Sequence, residues 1–282
     1  MRFRRAFPVV AAAALLLALG PPVVPRASAQ SAPRSLPQDP LRMATEVGRY
    51  LFAYDQAANR ATTMLLSEDA NTDAVETTLA RQRRGGWAVG FGRLTDGGRF
   101  EMMHKVMLNE ERLVDATRTQ VGRRLPRDNY FARAARAQQQ VRAKLDGKHG
   151  PYNLLVLPVG AEEGHLTVYA LPAQTNENAY RLGGDYRFEV DPAAGEVVSR
   201  TPLHEKYYEV GTLPQGVSAS AHEAARPVAT DVLFAAARRP KAPHFVKTGQ
   251  GVYRIAPGGA ISTVPATPFE QRGDVRMLKE RR

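Results

Sequence analysis

Histidines are the residues of this sequence best suited to metal chemistry, because the chain has six of them and no cysteine. Two histidines precede a glutamate, in His204-Glu205 and His222-Glu223. A zinc protease of the His-Glu-x-x-His type needs a second histidine three residues after the glutamate, one helical turn further on. Tyr208 and Arg226 occupy those two places. The sequence therefore contains no zinc-protease motif of this type.

Other catalytic signatures are also missing from the sequence. It has neither a Gly-x-Ser-x-Gly turn nor a glycine-rich phosphate loop. Glu162 and Glu163 are adjacent in a predicted turn, where two carboxylates point in different directions instead of converging as acid and base. The catalytic residues are thus unassigned, and the first interpretation is a non-catalytic binding or envelope-associated domain. Its candidate partner-contact residues are Tyr207, Tyr208, His204, Arg81, Arg83 and Arg84.

One stretch near the C-terminus resembles a known metal site. Residues 217–232 read Val-Ser-Ala-Ser-Ala-His-Glu-Ala-Ala-Arg-Pro-Val-Ala-Thr-Asp-Val, and a predicted helix and the segment Pro243-His-Phe-Val-Lys-Thr248 follow. This order, over about residues 217–256, resembles the metal-site region of the JAB/JAMM metalloprotease family. That family has His-x-His-Pro, six residues, and then Ser-x-x-Asp at a helix start, and its two histidines and aspartate bind zinc.

The resemblance implies a degenerate version of that metal site. Aligned without gaps, the family aspartate falls on Asp231 and its two histidines fall on Ser218 and Ser220, which are poor zinc ligands. A shift of two residues makes His222 the second histidine. The alternative interpretation is therefore a zinc-dependent JAMM-like peptidase, or another hydrolase with an atypical site, and its candidate ligands are Asp231, His222, His204 and His244. The first interpretation needs no cofactor; the alternative needs zinc.

The N-terminal residues predict export. Arg2, Arg4 and Arg5 precede an apolar run from residue 9 to 19 that is too short to cross a bilayer, and Ala27-Ser-Ala29 is a small-residue cleavage pattern. Residues 1–29 are therefore expected to be a signal peptide, which places the protein in the periplasm or outside the cell, with no transmembrane span after cleavage. Without cysteine, the exported chain has neither a lipid anchor on cysteine nor a disulfide.

The charge of the chain favours anionic partners other than nucleic acid. The net charge is +11, and four of the positive charges are arginines of the predicted signal peptide, which leaves +7 on the mature chain. A mildly basic exported protein is attracted to an anionic cell-surface component or an acidic envelope protein. The sequence shows no basic segment interleaved with aromatic residues, so nucleic-acid binding is not expected.

The hydrophobic pattern predicts a mixed α+β fold with N-terminal helices and a β-hairpin, followed by a mainly antiparallel sheet with one covering helix. Helices are predicted over 41–58, 72–82 and 129–145 and from 226 to 237, with residues 118–128 as a connection. Strands are predicted at 87–94, 99–108, 152–159, 166–171, 185–190, 196–200, 244–248 and 251–255. The links between successive strands are too short for parallel crossovers.

Composition divides the chain into five regions. A flexible linker is expected at residues 30–40, an N-terminal α+β region at 41–146, a C-terminal β-rich domain at 147–262, and a charged, disordered tail at 263–282, after the signal peptide at 1–29. Whether 41–146 and 147–262 form one domain or two is left open by the sequence.

Overall fold

The fold is α+β, as the hydrophobic pattern predicts. The computed structural model describes residues 39–109, 116–158, 164–174, 180–210, 217–222, 224–265 and 275–277. The predicted signal peptide, most of the linker and Glu162-Glu163 lie outside these residues. The helices are α1 (Pro40–Ser67), α2 (Tyr130–Arg142) and α3 (Ala229–Ala237). No helix among the described residues is both long enough and apolar enough to cross a membrane.

The described strands form four sheets. Their bounds are β1 (Thr77–Arg83), β2 (Gly86–Leu94), β3 (Phe100–Asn109), β4 (Ala116–Leu125), β5 (Tyr152–Leu157), β6 (Leu166–Pro172), β7 (Tyr180–Leu182), β8 (Tyr186–Asp191), β9 (Glu196–Pro202), β10 (Tyr208–Val210), β11 (Val217–Ala221), β12 (His244–Thr248), β13 (Gly251–Ile255), β14 (Ile261–Val264) and β15 (Val275–Met277). The sheet orders are β1-β2-β3-β4, β5-β6-β8-β9, β10-β7 and β14-β13-β12-β11-β15.

The first unit is α1 packed on an antiparallel sheet of four strands. The Asp39 side chain caps the helix by accepting from the Leu41 N–H at 3.1 Å, and Pro40 occupies the first turn, where its missing N–H costs nothing. The buried face of α1 meets Trp87 of β2, whose ring centroid lies 5.3 Å from Tyr50 and 6.0 Å from Tyr54. The lone tryptophan is thus a core residue.

Two sequence predictions in this unit are wrong. The helix predicted over 72–82 is largely strand β1, because Gly85-Gly86 makes a hairpin turn with positive φ at both glycines and pairs β1 with β2, where a helix C-terminus was expected. The connection predicted at 118–128 is mostly strand β4, which pairs with β3 from Leu108↔Ala116 to Phe100↔Leu125. Its basic, polar composition hides the strand pattern.

The second unit repeats the first arrangement, since α2 is followed by the antiparallel strands β5, β6, β8 and β9. Two buried apolar clusters cross the expected boundary near residue 147. One joins α1 and Trp87 to Leu155 and Tyr169, and the other joins Phe100 and Phe131 to Phe188. The Tyr130 hydroxyl, which contacts both Ala80 O and Val156 O, links the two sheets at 3.3 and 3.0 Å.

The sheets are mainly antiparallel, as expected, but the third unit also contains parallel pairing, which the short links between strands did not predict. Strands β11 and β12 are parallel, with Ser218 opposite His244, and α3 is the crossover between them. Within the region 263–282, Val275–Met277 forms β15 and pairs in parallel with the other edge of β11. The link across 222–243 is long enough for a helical crossover, which is what parallel pairing requires.

Helix α1 holds α3 in place through a close approach at Gly48. A Cβ atom at this position would lie 2.4 Å from Ala229 O and 2.5 Å from Val232 Cβ. Only a residue without a side chain permits this distance between the two helices. The start of α3, where Asp231 lies, therefore depends on Gly48.

We expect Gly48→Ala to lower the free energy of unfolding by about 1–3 kcal/mol, because the added methyl group forces α3 away from α1. Urea denaturation measures this loss. Gly249→Ala is the control, since a Cβ at Gly249 meets nothing within 4 Å. Equal stability of the two variants would contradict the close helix contact.

Candidate metal centre

Three segments bring two histidines and an aspartate together. His204 lies in the loop between β9 and β10, His222 directly follows β11, and Asp231 lies in the first turn of α3. Asp231 Oδ1 is 3.2 Å from His204 Nε2 and 3.1 Å from His222 Nε2. His222 and Asp231 follow His204 by 18 and 27 residues in the sequence, yet the three side chains place potential metal donors around one point.

Asp231 is oriented by the helix that it begins. Its Oδ2 atom accepts a hydrogen bond from the Val228 N–H at 2.8 Å, so Oδ1 is directed to the histidines. Burial alone would raise the pKa of this carboxyl group, but the attraction of His222 and His204 is larger and holds the pKa well below its usual value. Asp231 is therefore a carboxylate at neutral pH.

Asp185 orients His204 from the opposite side of the ring. Its Oδ1 atom lies 2.6 Å from His204 Nδ1, and both side chains are 2% exposed. Burial alone would lower the pKa of His204, but the two carboxylates Asp185 and Asp231 outweigh it and raise the pKa to about 10. A carboxylate bonded to the far nitrogen of a histidine is the usual second partner of a metal-binding imidazole, because it fixes the tautomer and the ring orientation.

A chain of serines and a histidine continues from His222 into the sheet. Ser220 Oγ lies 2.9 Å from His222 Nε2 and 3.0 Å from His244 Nε2. Ser218 Oγ lies 2.9 Å from His244 Nδ1 and accepts from the buried Arg238 guanidinium at 2.6 Å. Both nitrogens of His244 therefore face serine hydroxyls, and burial lowers its pKa to about 3, so the ring is neutral.

The donor set fits zinc in type and spacing. Two imidazole nitrogens and a carboxylate oxygen are common zinc ligands, and donors bound tetrahedrally at the usual Zn–N and Zn–O lengths lie about 3.3 Å apart. The two distances to Asp231 Oδ1 are 3.2 and 3.1 Å. Among the described residues, His222 Nδ1 and Asp185 Oδ2 are buried without a hydrogen-bond partner. These two atoms are therefore free to bind a further polar ligand or water molecule.

The structure brings together three of the four candidate ligands from the sequence. His204, His222 and Asp231 converge, whereas His244 is occupied by Ser218 and Ser220 and does not face Asp231 Oδ1. The JAMM-like alignment placed the family histidines on these two serines, which here bond to His244 and, for Ser220, also to His222. Sequence reasoning missed Asp185, Ser218, Ser220 and Arg238 as parts of one buried network.

A local signal for Asp185 exists in the sequence. Gly183 and Gly184, which precede it, both have positive φ, and a Cβ on Gly183 would lie 1.9 Å from Lys206 O. The two glycines thus let the 183–185 turn approach the loop that carries His204. A Gly-Gly-Asp turn near a loop histidine is weak evidence alone, since such turns are common.

The expected partner-contact residues differ in exposure. Tyr207 is buried and stacks on His149, and Tyr208 is buried with its hydroxyl donating to Ala221 O, so neither tyrosine ring presents a contact surface. Arg81 is half-buried and lies over the Tyr130 ring at 4.8 Å. Arg83 and Arg84 are exposed at the β1–β2 turn. Only these last two match the expected accessibility.

Comparisons with known proteins do not identify a family. No family model matches the sequence, and no curated protein matches it. Among solved structures, the Bacillus megaterium YpeB C-terminal domain is similar at 17% sequence identity, over 54% of this chain and 65% of that chain, with a TM-score of 0.20. This chain thus covers less than two thirds of that domain, and the TM-score carries no argument about fold or function.

We expect the metal-free protein to lose stability as the pH rises from 7 to 10. His204 has a higher pKa when folded, so its contribution is fully present below its unfolded pKa of about 6.5 and disappears as the pH passes its folded value of about 10. Urea denaturation with a chelator, on wild type and His204→Gln, measures the difference in unfolding free energy. This difference should shrink between pH 7 and pH 10.

His165→Gln is the control, because His165 is part-exposed and lies 3.9 Å from an Asp191 carboxylate oxygen, beyond hydrogen-bond distance. Its stability should follow that of the wild type over the same pH range. A constant gap between wild type and His204→Gln from pH 7 to pH 10 would show that His204 is not charged between its two carboxylates.

Proposed function

We propose that this protein is an exported zinc-binding protein in which His204, His222 and Asp231 hold the ion and Asp185 orients His204. The observation that carries this proposal is the convergence of two imidazole nitrogens on one carboxylate oxygen, at 3.1 and 3.2 Å, with a second carboxylate behind one imidazole. Zinc takes the place of the protons that these donors share in the metal-free state.

The role that the site supports best is structural and not catalytic. The side chains of His204 and His222 are each 2% exposed and that of Asp231 is 0% exposed. A catalytic zinc needs an open position that a substrate can reach, whereas structural sites are closed. The closed donor set favours a metal that joins the β9–β10 loop, the end of β11 and the start of α3.

In an exported protein, such a metal can replace a disulfide as a cross-link. The predicted signal peptide places the chain in a compartment where disulfides are the usual covalent cross-link, and the sequence has no cysteine with which to form one. A zinc ion that joins three segments cross-links the chain without cysteine. It stabilises the fold because the free energy of metal binding adds to that of folding.

The test of zinc binding is the metal content of the protein, purified without a metal-binding tag, by elemental mass spectrometry. We expect about one zinc per chain and, at free zinc of 100 times Kd, a gain of about 2.7 kcal/mol in unfolding free energy. Asp231→Asn and His222→Gln should lose both effects, because each removes one of three donors. His165→Gln should keep them. Zinc content near zero after zinc is supplied would refute the proposal.

A second candidate function, zinc-dependent hydrolysis, is favoured by the number of donors. Three protein ligands are the usual set of a catalytic zinc site, and bound zinc there polarises the scissile carbonyl and activates water. In such a site Asp185 would keep the His204 ring oriented. The Ser220 hydroxyl of β11, 2.9 Å from His222 Nε2, would lie beside the metal ligands.

Peptidase assays on the zinc-loaded protein separate the two functions. Because the donors are closed to solvent, we expect no hydrolysis of a mixed fluorogenic peptide library above the rate of the Asp231→Asn variant. A rate that depends on zinc and disappears in this variant would instead establish the hydrolase function. Zinc content is measured on the same samples, so absence of activity is not confused with absence of metal.

A further inference from the structure

A groove formed by residues of the first sheet shares no lining residue with the zinc site. The β2–β3 turn, the end of β4 and the segment after it line an open groove of about 560 Å³. Its lining includes three arginines, Arg99, Arg124 and Arg127, and one acid, Asp96. This volume is in the range of small-molecule sites. The groove is cationic, and none of its lining residues belongs to the zinc site.

In the part of the chain that the structure describes, the acids near this groove do not balance its positive charge. Among the described residues, Arg99 and Arg127 have no side-chain hydrogen bond or ion pair, and both are exposed. Arg124 is 3.8 Å from a Glu101 oxygen, but the other oxygen of the same carboxylate pairs with Arg93 at 2.9 Å. One carboxylate thus serves two guanidinium groups, and two further guanidinium groups are unpaired.

The groove is held in shape by Arg136 of α2. Its guanidinium donates to Gly98 O at 2.9 Å, to Arg127 O at 2.9 Å and to Pro192 O at 3.0 Å. It therefore fixes the β2–β3 turn and the segment after β4 relative to each other. Burial lowers the pKa of Arg136, and the nearby charges of Arg127 and Arg133 lower it further, as expected where cations crowd together.

We propose that this groove binds a phosphate group. A guanidinium fork matches a phosphate oxygen pair, and a phosphate offers three oxygens and close to two negative charges, enough for several arginines at once. A carboxylate offers only two oxygens and one negative charge, so it neutralises fewer arginines than a phosphate does. Arg136 ties the backbone of Gly98, next to Arg99, to the backbone of Arg127, so both exposed arginines line the same groove.

Titration of inorganic phosphate into the protein by isothermal calorimetry tests the proposal at low ionic strength. Wild type should bind at a single site, and added salt should weaken binding. Arg99→Gln/Arg127→Gln should bind at least about tenfold more weakly, because each loses charge-assisted hydrogen bonds to the anion. We expect the double variant to fold, because both side chains are exposed, and a thermal melt checks this. The two single variants give the contribution of each arginine to the affinity.

Arg83→Gln/Arg84→Gln is the matched control, because it removes the same charge from the exposed β1–β2 turn, at the other end of β2 and about 25 Å away. It should keep the wild-type affinity within about twofold, since long-range attraction is screened. Equal weakening in both double variants would show diffuse attraction without a site. That result, or no binding by wild type, would overturn the proposal.

The source of the phosphate is resolved by a parallel sedimentation assay with phosphatidylglycerol and phosphatidylcholine vesicles. Sedimentation with phosphatidylglycerol alone, lost in Arg99→Gln/Arg127→Gln, identifies a lipid headgroup. Binding of free phosphate without vesicle binding identifies a soluble or polymer phosphate. Both results support the groove as a phosphate site, and both are independent of zinc content.

Discussion

The buried carboxylate of Asp231 is the constraint on which the third unit depends. A fully buried carboxylate costs several kcal/mol unless it is paired and hydrogen-bonded. Asp231 meets this requirement with a backbone N–H on one oxygen and two imidazoles on the other. These partners come from three separate segments, so α3, β11 and the β9–β10 loop assemble around one side chain.

The rest of the architecture holds these segments in register. Helix α1 contacts α3 at Gly48, where no side chain fits, and its other face packs on Trp87 of the first sheet. The parallel pairing of β11 with β12 places Ser218 opposite His244, and the ring bridges both serines of β11. A polar network inside a parallel pair is stable only when its members are satisfied, and here Arg238 completes the chain at Ser218.

The sequence predicted the local elements better than their assembly. The hairpin around Asp96-Gly97 and the strands from Tyr152 to Arg200 follow from alternation and turn residues, which act over a few positions. The helix predicted over 72–82 is wrong because Gly85-Gly86 has two meanings, a helix end or a hairpin turn, and only pairing with β2 decides between them. The parallel β11–β12 pair depends on contacts across more than 20 residues.

In the candidate site, too, residue types can be predicted from the sequence but their assembly cannot. Asp231, His222 and His204 could be named from residue type and the spacing of a known motif, but no pattern predicts that a loop histidine reaches a helix start 27 residues later. His244 is named for the same reasons, but both its nitrogens face serine hydroxyls and it lies outside the cluster of the other three residues. Asp185 could not be named, since its role exists only once the glycine turn at 183–184 brings it to His204.

Arginine side chains have two different roles in this fold. The chain is rich in arginine and poor in lysine, so most of its cations are guanidinium groups, yet these occupy opposite environments. Arg238 is fully buried and donates to Ser218 and Pro243 O inside the histidine network, whereas Arg99 and Arg127 are exposed without a partner among the described residues. A guanidinium that completes a network stabilises the fold. An exposed guanidinium without a polar partner among the described residues leaves its charge available to an anion from outside.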